Sequence, residues 1–174
     1  MKTCKCGIEF VQYTSFQKKC HKCLVEDGRN KIRKHEKRET REKKKKLKTR
    51  GDWTKEAQIA FNRFIRARDN GLPCISCGRS TGAKVNAGHY RSVGSAPELR
   101  FTLFNVNLQC EHCNSHLSGN LINYRINLLD RVGADVVEWL EGHHEAKKYR
   151  IEELEEIKKG FNAWARELEN DRER

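Results

Sequence analysis

Apolar material is scarce in this chain. Of its 174 residues, 36% are hydrophobic and 8% aromatic, against 34% charged, and the mean hydropathy is −0.90. That shortage argues against one large core and for small units held by something other than apolar packing, joined by exposed helices. No apolar run approaches the length that crosses a bilayer, so no membrane role is expected. No leader is expected either: Met1-Lys2-Thr3 runs straight into Cys4, with no apolar h-region, and a cytoplasmic setting is expected. Acidic charge is also in deficit. Asp and Glu number 24 against 36 Lys and Arg, giving a net charge of +12 and a pI near 9.4. A polyanionic partner follows, nucleic acid before any other. No internal repeat spans the chain beyond two cysteine modules.

What the chain does have is cysteine, eight residues in four close pairs: Cys4/Cys6, Cys20/Cys23, Cys74/Cys77 and Cys110/Cys113. In a reducing compartment such pairs read as metal ligands rather than disulfides. Two pairs make one tetrahedral thiolate zinc site, so two Zn²⁺ ions are expected. Residues 1–27 read as an N-terminal zinc knuckle on Cys4, Cys6, Cys20 and Cys23, with a strand or hairpin around Ile8 and Phe10. The tight spacing of the first pair leaves open whether Cys6 or His21 is a ligand.

Residues 28–50 hold 13 Lys or Arg and three Glu. Almost no apolar residue interrupts them, so this is a basic helical or flexible arm without a core face. Lys43, Lys44, Lys45 and Lys46 are its densest part and are expected to contact phosphates. Residues 51–142 form the central unit. Trp53, Ala57, Ala60, Phe61, Phe64 and Ile65 recur at helical spacing. Asp52 or Thr54 is the expected cap, and Asn70-Gly71-Leu72-Pro73 ends the helix. That stripe reads as core. Leu121–Val132 and Ala134–Leu140 read as further helices closed by Gly133 and Gly142. Residues 143–174 form a C-terminal amphipathic helix whose seam runs through Ile151, Leu154, Ile157, Phe161, Trp164 and Leu168. Residues 138–174 hold 11 acidic and eight basic groups, so this helix is expected to pack on the rest or to support self-association. His143 and His144 read as solvated.

The second knuckle carries the chemistry. Thiolate zinc has no open position, so its cysteines hold structure only. Between the pairs stand Gly88-His89-Tyr90 and Asn105; directly after them come Asn114 and His116. Ala83–Tyr90 and Val106–Gln109 are strand-like, and a helix is expected to begin at Asn114. The fold class expected is α+β, small and zinc-stapled: a ββα-metal core with flanking helices and an N-terminal knuckle.

This cassette resembles an HNH endonuclease of the zinc-stapled kind. More closely, Ala87-Gly88-His89-Tyr90-Arg91-Ser92-Val93-Gly94, Pro97-Glu98-Leu99-Arg100-Phe101, Asn105-Val106, Cys113-Asn114 and Ser118-Gly119-Asn120 resemble the NinG (Rap) recombination nucleases of lambdoid phages. The likeness extends over nearly the whole chain, including Trp53-Thr54-Lys55-Glu56-Ala57-Gln58. It implies a phosphodiesterase cutting branched DNA, such as displacement loops and four-way junctions. It implies His89 as general base, Asn105 as the residue orienting it, and Asn114 as a ligand of Mg²⁺ or Mn²⁺. Many HNH enzymes carry Asp or His just before the base, where this chain has Gly88. Either His116, His112 or Asn120 completes the shell, His116 first among them, or His89 is itself a ligand. Arg91 and Arg100 are expected to pair with phosphates or with Glu98. A homodimer would suit a symmetric junction, and recombination or replication proteins are further expected partners. The rival reading is a zinc-bearing DNA- or RNA-binding protein without catalysis; a third is a structural interaction module. Only His89, Asn105 and Asn114 separate the first from the others.

Overall fold

The structure, a computed structural model, describes residues 1–80, 84–172 and 174. It divides into two compact units, Met1–Lys48 and Thr49–Arg174.

In the first unit, β1 (Lys2–Thr3) and β2 (Glu9–Phe10) pair antiparallel, Lys2 opposite Phe10. Gly7 turns the chain between them at φ +85°, a conformation that costs glycine little. Cys4 and Cys6 sit in that turn. The second pair lies at the start of α1 (His21–Lys46), with Cys20 at its N-cap. One helix therefore crosses residue 28, where composition places a boundary between knuckle and arm. No residue of α1 is buried. It extends about 39 Å at ~1.5 Å per residue.

The second unit opens on α2 (Arg50–Arg68). Its cap is Thr49, not Asp52 or Thr54. Thr49 Oγ1 accepts the Asp52 backbone N–H at 3.2 Å, and Asp52 Oδ2 accepts the Thr49 N–H at 3.0 Å. Asp52 is thus the far half of a capping box. All six residues of the predicted stripe are buried. Strands β3 (Val85–His89) and β4 (Val106–Cys110) pair antiparallel, His89 opposite Val106 and Val85 opposite Cys110. The predicted start of β3 at Ala83 falls outside the described residues. After β4 the chain makes one π-helical turn over His112–His116. This turn stands where an α-helix was expected to start at Asn114; the two helices expected after it are present, α3 over Leu121–Val132 and α4 over Ala134–Glu141, divided by Gly133 at φ +86°. Asn114 lies inside the π turn, where side-chain capping of an α-helix is not its role.

The closing helix, α5 (Ile151–Asn170), lies along α2 in the same direction. Leu154 meets Trp53 and Ala57; Phe161 stacks edge-on against Phe61 at 4.8 Å; Arg63 pairs with Glu169, and Lys158 with Glu56 at 2.7 Å. The hairpin face bearing Ala87 and Val106 closes this core from the other side. A second cluster joins Ile75, Tyr90 and Leu99 to Tyr124, Leu128 and Leu140. The hairpin is therefore held between α2 on one face and α3 on the other, with His89 at its end.

Candidate metal centres and active site

Each four-cysteine set converges. In both, the four Sγ atoms lie within 4.8 Å of one another. Cys4 and Cys20 are buried in the first set, Cys74 and Cys113 in the second. Crowding four thiols separates their acidities. Backbone N–H donors at Cys6 and Cys20 bring Cys4 down to about 6, while hydrogen bonds to the Cys6, Cys4 and Cys20 thiols push Cys23 up to about 12. In the second set burial opposes ionisation of Cys74, but N–H groups of Cys110, Cys77 and Ser76 outweigh it and bring it to about 7; burial and neighbouring sulfurs push Cys113 to about 12. Only a cation lets all four ionise together, and four thiolates are the donor set of tetrahedral zinc. Outer donors are in place: Cys110 N–H points at Cys74 Sγ at 3.3 Å and Asn120 Nδ2 at Cys113 Sγ at 3.6 Å. Asn120 thus serves the thiolate site.

His89 ends β3. Its Nε2 lies 3.0 Å from the Arg100 carbonyl. A carbonyl only accepts, so Nε2 carries the proton and Nδ1 keeps a lone pair. Burial against Phe61 depresses its pKa below the ordinary 6.5, the Arg100 carbonyl bond opposing and the Arg100 charge adding. The neutral base therefore prevails at pH 7. The ring remains partly exposed.

Asn105 is wholly buried. Its Oδ1 accepts the Arg91 N–H at 2.8 Å, and its Nδ2 donates to the carbonyls of Arg91 at 3.0 Å and Leu99 at 3.2 Å. It ties together both ends of the loop 91–99, whose next carbonyl, that of Arg100, holds His89. Asn107, its near rival in sequence, faces away: Nδ2 donates to Tyr124 Oη at 3.1 Å, and Tyr124 donates to the Gly88 carbonyl at 2.9 Å.

Asn114 is half-buried, while His112 and His116 are exposed with ring centroids 5.7 Å apart. Their turn follows Cys110, which stands at the opposite end of the ladder from His89. About 13 Å of strand separates those ends at ~3.3 Å per residue. Among the described residues, no third group of His, Cys, Asp and Glu converges as the cysteines do. A hard cation here would find Asn114 and His116 but no carboxylate cluster, and would need water and phosphate for most of its shell.

The two arginines already have protein partners, and neither partner is Glu98. Arg91 Nη1 donates to the Glu141 carbonyl at 3.1 Å, at the end of α4; Arg100 Nη1 reaches Gln58 Oε1 at 3.3 Å. Lys43, Lys44, Lys45 and Lys46 form the last turn of α1, where cations meet the negative end of the helix.

Sequence reasoning missed two residues that build this site. Gln109 is wholly buried, and its Nε2 donates to Ser76 Oγ at 2.6 Å and to the Gly119 carbonyl. A Cβ on Gly88 would lie 2.0 Å from Gln109 Oε1. The space of a side chain at position 88 is thus filled from the neighbouring strand, which accounts for a glycine at this strand position. The second is Asp69, wholly buried. It accepts from Arg68 at 2.7 and 2.8 Å, Arg131 at 2.6 Å and the Leu108 N–H at 2.9 Å. Burial pushes its pKa up, yet these donors outweigh that and hold it below the carboxylate range. Arg68 also donates to the carbonyls of Leu103 at 3.0 Å and Val106 at 2.8 Å, on either side of Asn105. No periodicity announces these residues. The one signal on hand was Gly88 itself, a glycine inside a strand.

The family model described as Bacteriophage Lambda NinG protein matches residues 2–173. The chain belongs to the NinG family. Protein ninG of Escherichia phage lambda is 47% identical over 126 residues, covering 72% of this chain and 62% of that protein. Protein ninG of Enterobacteria phage H19B is 48% identical over the same length, and that of Salmonella phage P22 is 45% identical, with 72% of this chain covered in each case. The matched stretch is 63% of the H19B protein and 62% of the P22 protein, so this chain covers less than two-thirds of these relatives. No solved structure matches it. No helix is long and apolar enough to cross a membrane.

Proposed function

We propose that this NinG-family chain is a metal-dependent, structure-selective DNA endonuclease acting on branched recombination intermediates. The observation that supports this best is His89: a half-buried imidazole, its Nε2 proton held on a carbonyl, its Nδ1 lone pair left for a proton. In the proposed reaction Nδ1 takes the proton of a water attacking the scissile phosphate. Asn105 keeps the Arg100 carbonyl in place and so fixes the ring's tautomer and direction. Asn114 and His116 would hold Mg²⁺ or Mn²⁺, which would supply charge neutralisation to the bound DNA beyond the far end of the hairpin from His89. Both zinc sites are structural: one anchors the hairpin, the other the start of α1. Branched or single-strand-containing DNA is the substrate class, with α1 lying on phosphates. Host or phage recombination and replication proteins, and a second copy of the chain, are the partners this reading admits.

The test is incubation of purified protein with end-labelled four-way junction, displacement loop, linear duplex and single strand, with Mg²⁺, with Mn²⁺ and without added divalent metal. Metal-dependent incision of the branched substrates is expected. Tight binding with no incision under any condition would leave the chain a non-catalytic zinc-bearing DNA-binding protein.

A further inference from the structure

Helix α1 gathers most of its cations on one side. Every residue from Arg29 to Lys46 is exposed. At ~100° per residue, nine of the 11 Lys and Arg in that stretch fall within an arc of about 200°. Arg29 and Arg33 mark one edge of the arc, Lys31 and Arg38 the other, and Lys37 and Arg41 its middle. Glu36, Glu39 and Glu42 occupy the remaining strip. Lys43 and Lys46 are the two cations on that strip, each one turn after a glutamate, an order that stabilises an isolated helix. The other acidic residues of α1 are in its first turns, where Asp27 pairs with Lys19. The four-lysine block that stands out in sequence is thus split between faces: Lys44 and Lys45 on the arc, Lys43 and Lys46 off it.

The width of the arc points to a particular mode of contact. A helix laid across a single phosphate backbone meets it on a narrow stripe. A helix seated in a groove meets phosphates along both flanks and turns only its outward side to water. The major groove of B-DNA is about 12 Å wide, and a helix with its side chains measures about 10–12 Å across. The arc runs from Arg29 to Lys45, about 24 Å at ~1.5 Å per residue, or roughly seven base pairs at ~3.4 Å each. The major groove of A-form RNA is too deep and narrow for such a helix. We propose that α1 seats in the major groove of duplex DNA, its two cationic flanks on opposite phosphate walls and its glutamate strip outward. This rests on the reading of the chain as DNA-directed, and it supplies a duplex-arm contact that does not depend on His89.

The experiment uses the full chain with a fluorescent 20-base-pair duplex, no added divalent metal, and anisotropy over a range of KCl concentrations. Three double variants remove equal charge: Arg29→Gln with Arg33→Gln, Lys31→Gln with Arg38→Gln, and Lys43→Gln with Lys46→Gln. Circular dichroism checks that each keeps its helix. Each flank pair is expected to lower the log–log salt slope by about 1.8, from ~0.9 per lost phosphate contact, and the third pair to leave it nearly unchanged. Methyl green, which occupies the major groove, should displace the protein, and netropsin, which occupies the minor groove, should not. An effect from one flank alone, equal effects from all three pairs, displacement by netropsin only, or equal affinity for an RNA duplex would each overturn the proposal while leaving DNA binding intact. Absence of salt-dependent binding by the unaltered chain would instead remove the DNA reading on which it stands.

Discussion

His89 Nε2 donates to the carbonyl of Arg100 at 3.0 Å, across 11 residues of chain. This bond decides which nitrogen of the ring is basic. If Nδ1 is the proton acceptor in strand cleavage, His89→Ala should lower the cleavage rate by about 10²–10⁴-fold, the range of general-base catalysis, with junction affinity nearly unchanged. The pH profile carries a sign. Neutral imidazole is the active form, and burial lowers its pKa below 6.5. The rate should climb with pH and level off below the pH at which a free imidazole would. Single-turnover rates across pH 5–8 check both, and cleavage by His89→Ala at the original rate would take the residue out of the mechanism.

Gly88 and Gln109 form a steric pair. Gly88→Ala would push a methyl against Gln109 Oε1, leaving the buried amide no room. Overpacking of this kind costs about 1–3 kcal/mol. In a Gln109→Ala background only the tight 3.0 Å contact with the Cβ of residue 109 remains, so adding Gly88→Ala should then cost less. Urea denaturation of the four members of this cycle measures the difference. Additive effects would show that the two side-chain positions do not compete for one space.

Zinc content is a direct measurement. Two ions per chain are expected from elemental analysis, one for each converged set. Cys20→Ser should lower the count to one while thermal unfolding of residues 49–174 stays in place. Cys110→Ser should also lower it to one, but with loss of the hairpin unit's cooperative unfolding, since β4 ends on that ligand. A count unaltered by either substitution would refute the ligand sets.

Glu141 links the end of α4 to the strand that carries His89. Arg125 donates to it at 2.7 and 3.0 Å, and the Tyr90 hydroxyl donates as well. These partners, Arg125 first, hold its pKa at about 2, against 4.5 ordinarily. A carboxylate depressed on folding adds stability above its unfolded value and loses it as pH falls toward the folded one. The melting temperature should therefore drop between about pH 4.5 and 2. Glu141→Gln should melt lower at pH 7 and flatten that part of the acid limb. An identical acid limb in the variant would mean other carboxylates govern it.

Much of this fold is legible in residue order. Cys74, Cys77, Cys110 and Cys113 announce a shared site because ligand spacing is local and restrictive. Trp53 through Ile65 and Ile151 through Leu168 announce two helices because apolar period follows helix geometry. Gly133 and Gly142 end α3 and α4 where read. The cap of α2 was displaced to Thr49 because Asp52 serves equally well as either half of a capping box. No α-helix starts at Asn114 because the segment carrying Cys113 makes a π turn there, whereas the helix read over Leu121–Val132 forms where expected.

Composition and spacing alone thus determined the cationic character, the two thiolate sets, and the helices, all of which depend on neighbours within a few residues. Tertiary structure decided which groups meet across long stretches of chain. It set His89 on a carbonyl 11 residues away, placed Gln109 in the space of a missing side chain, turned Arg91 toward the end of α4, and laid α5 along α2. Such pairings have no period and no motif. They arise from the packing of buried polar groups that must find partners once water is gone, and one-dimensional order does not contain that geometry.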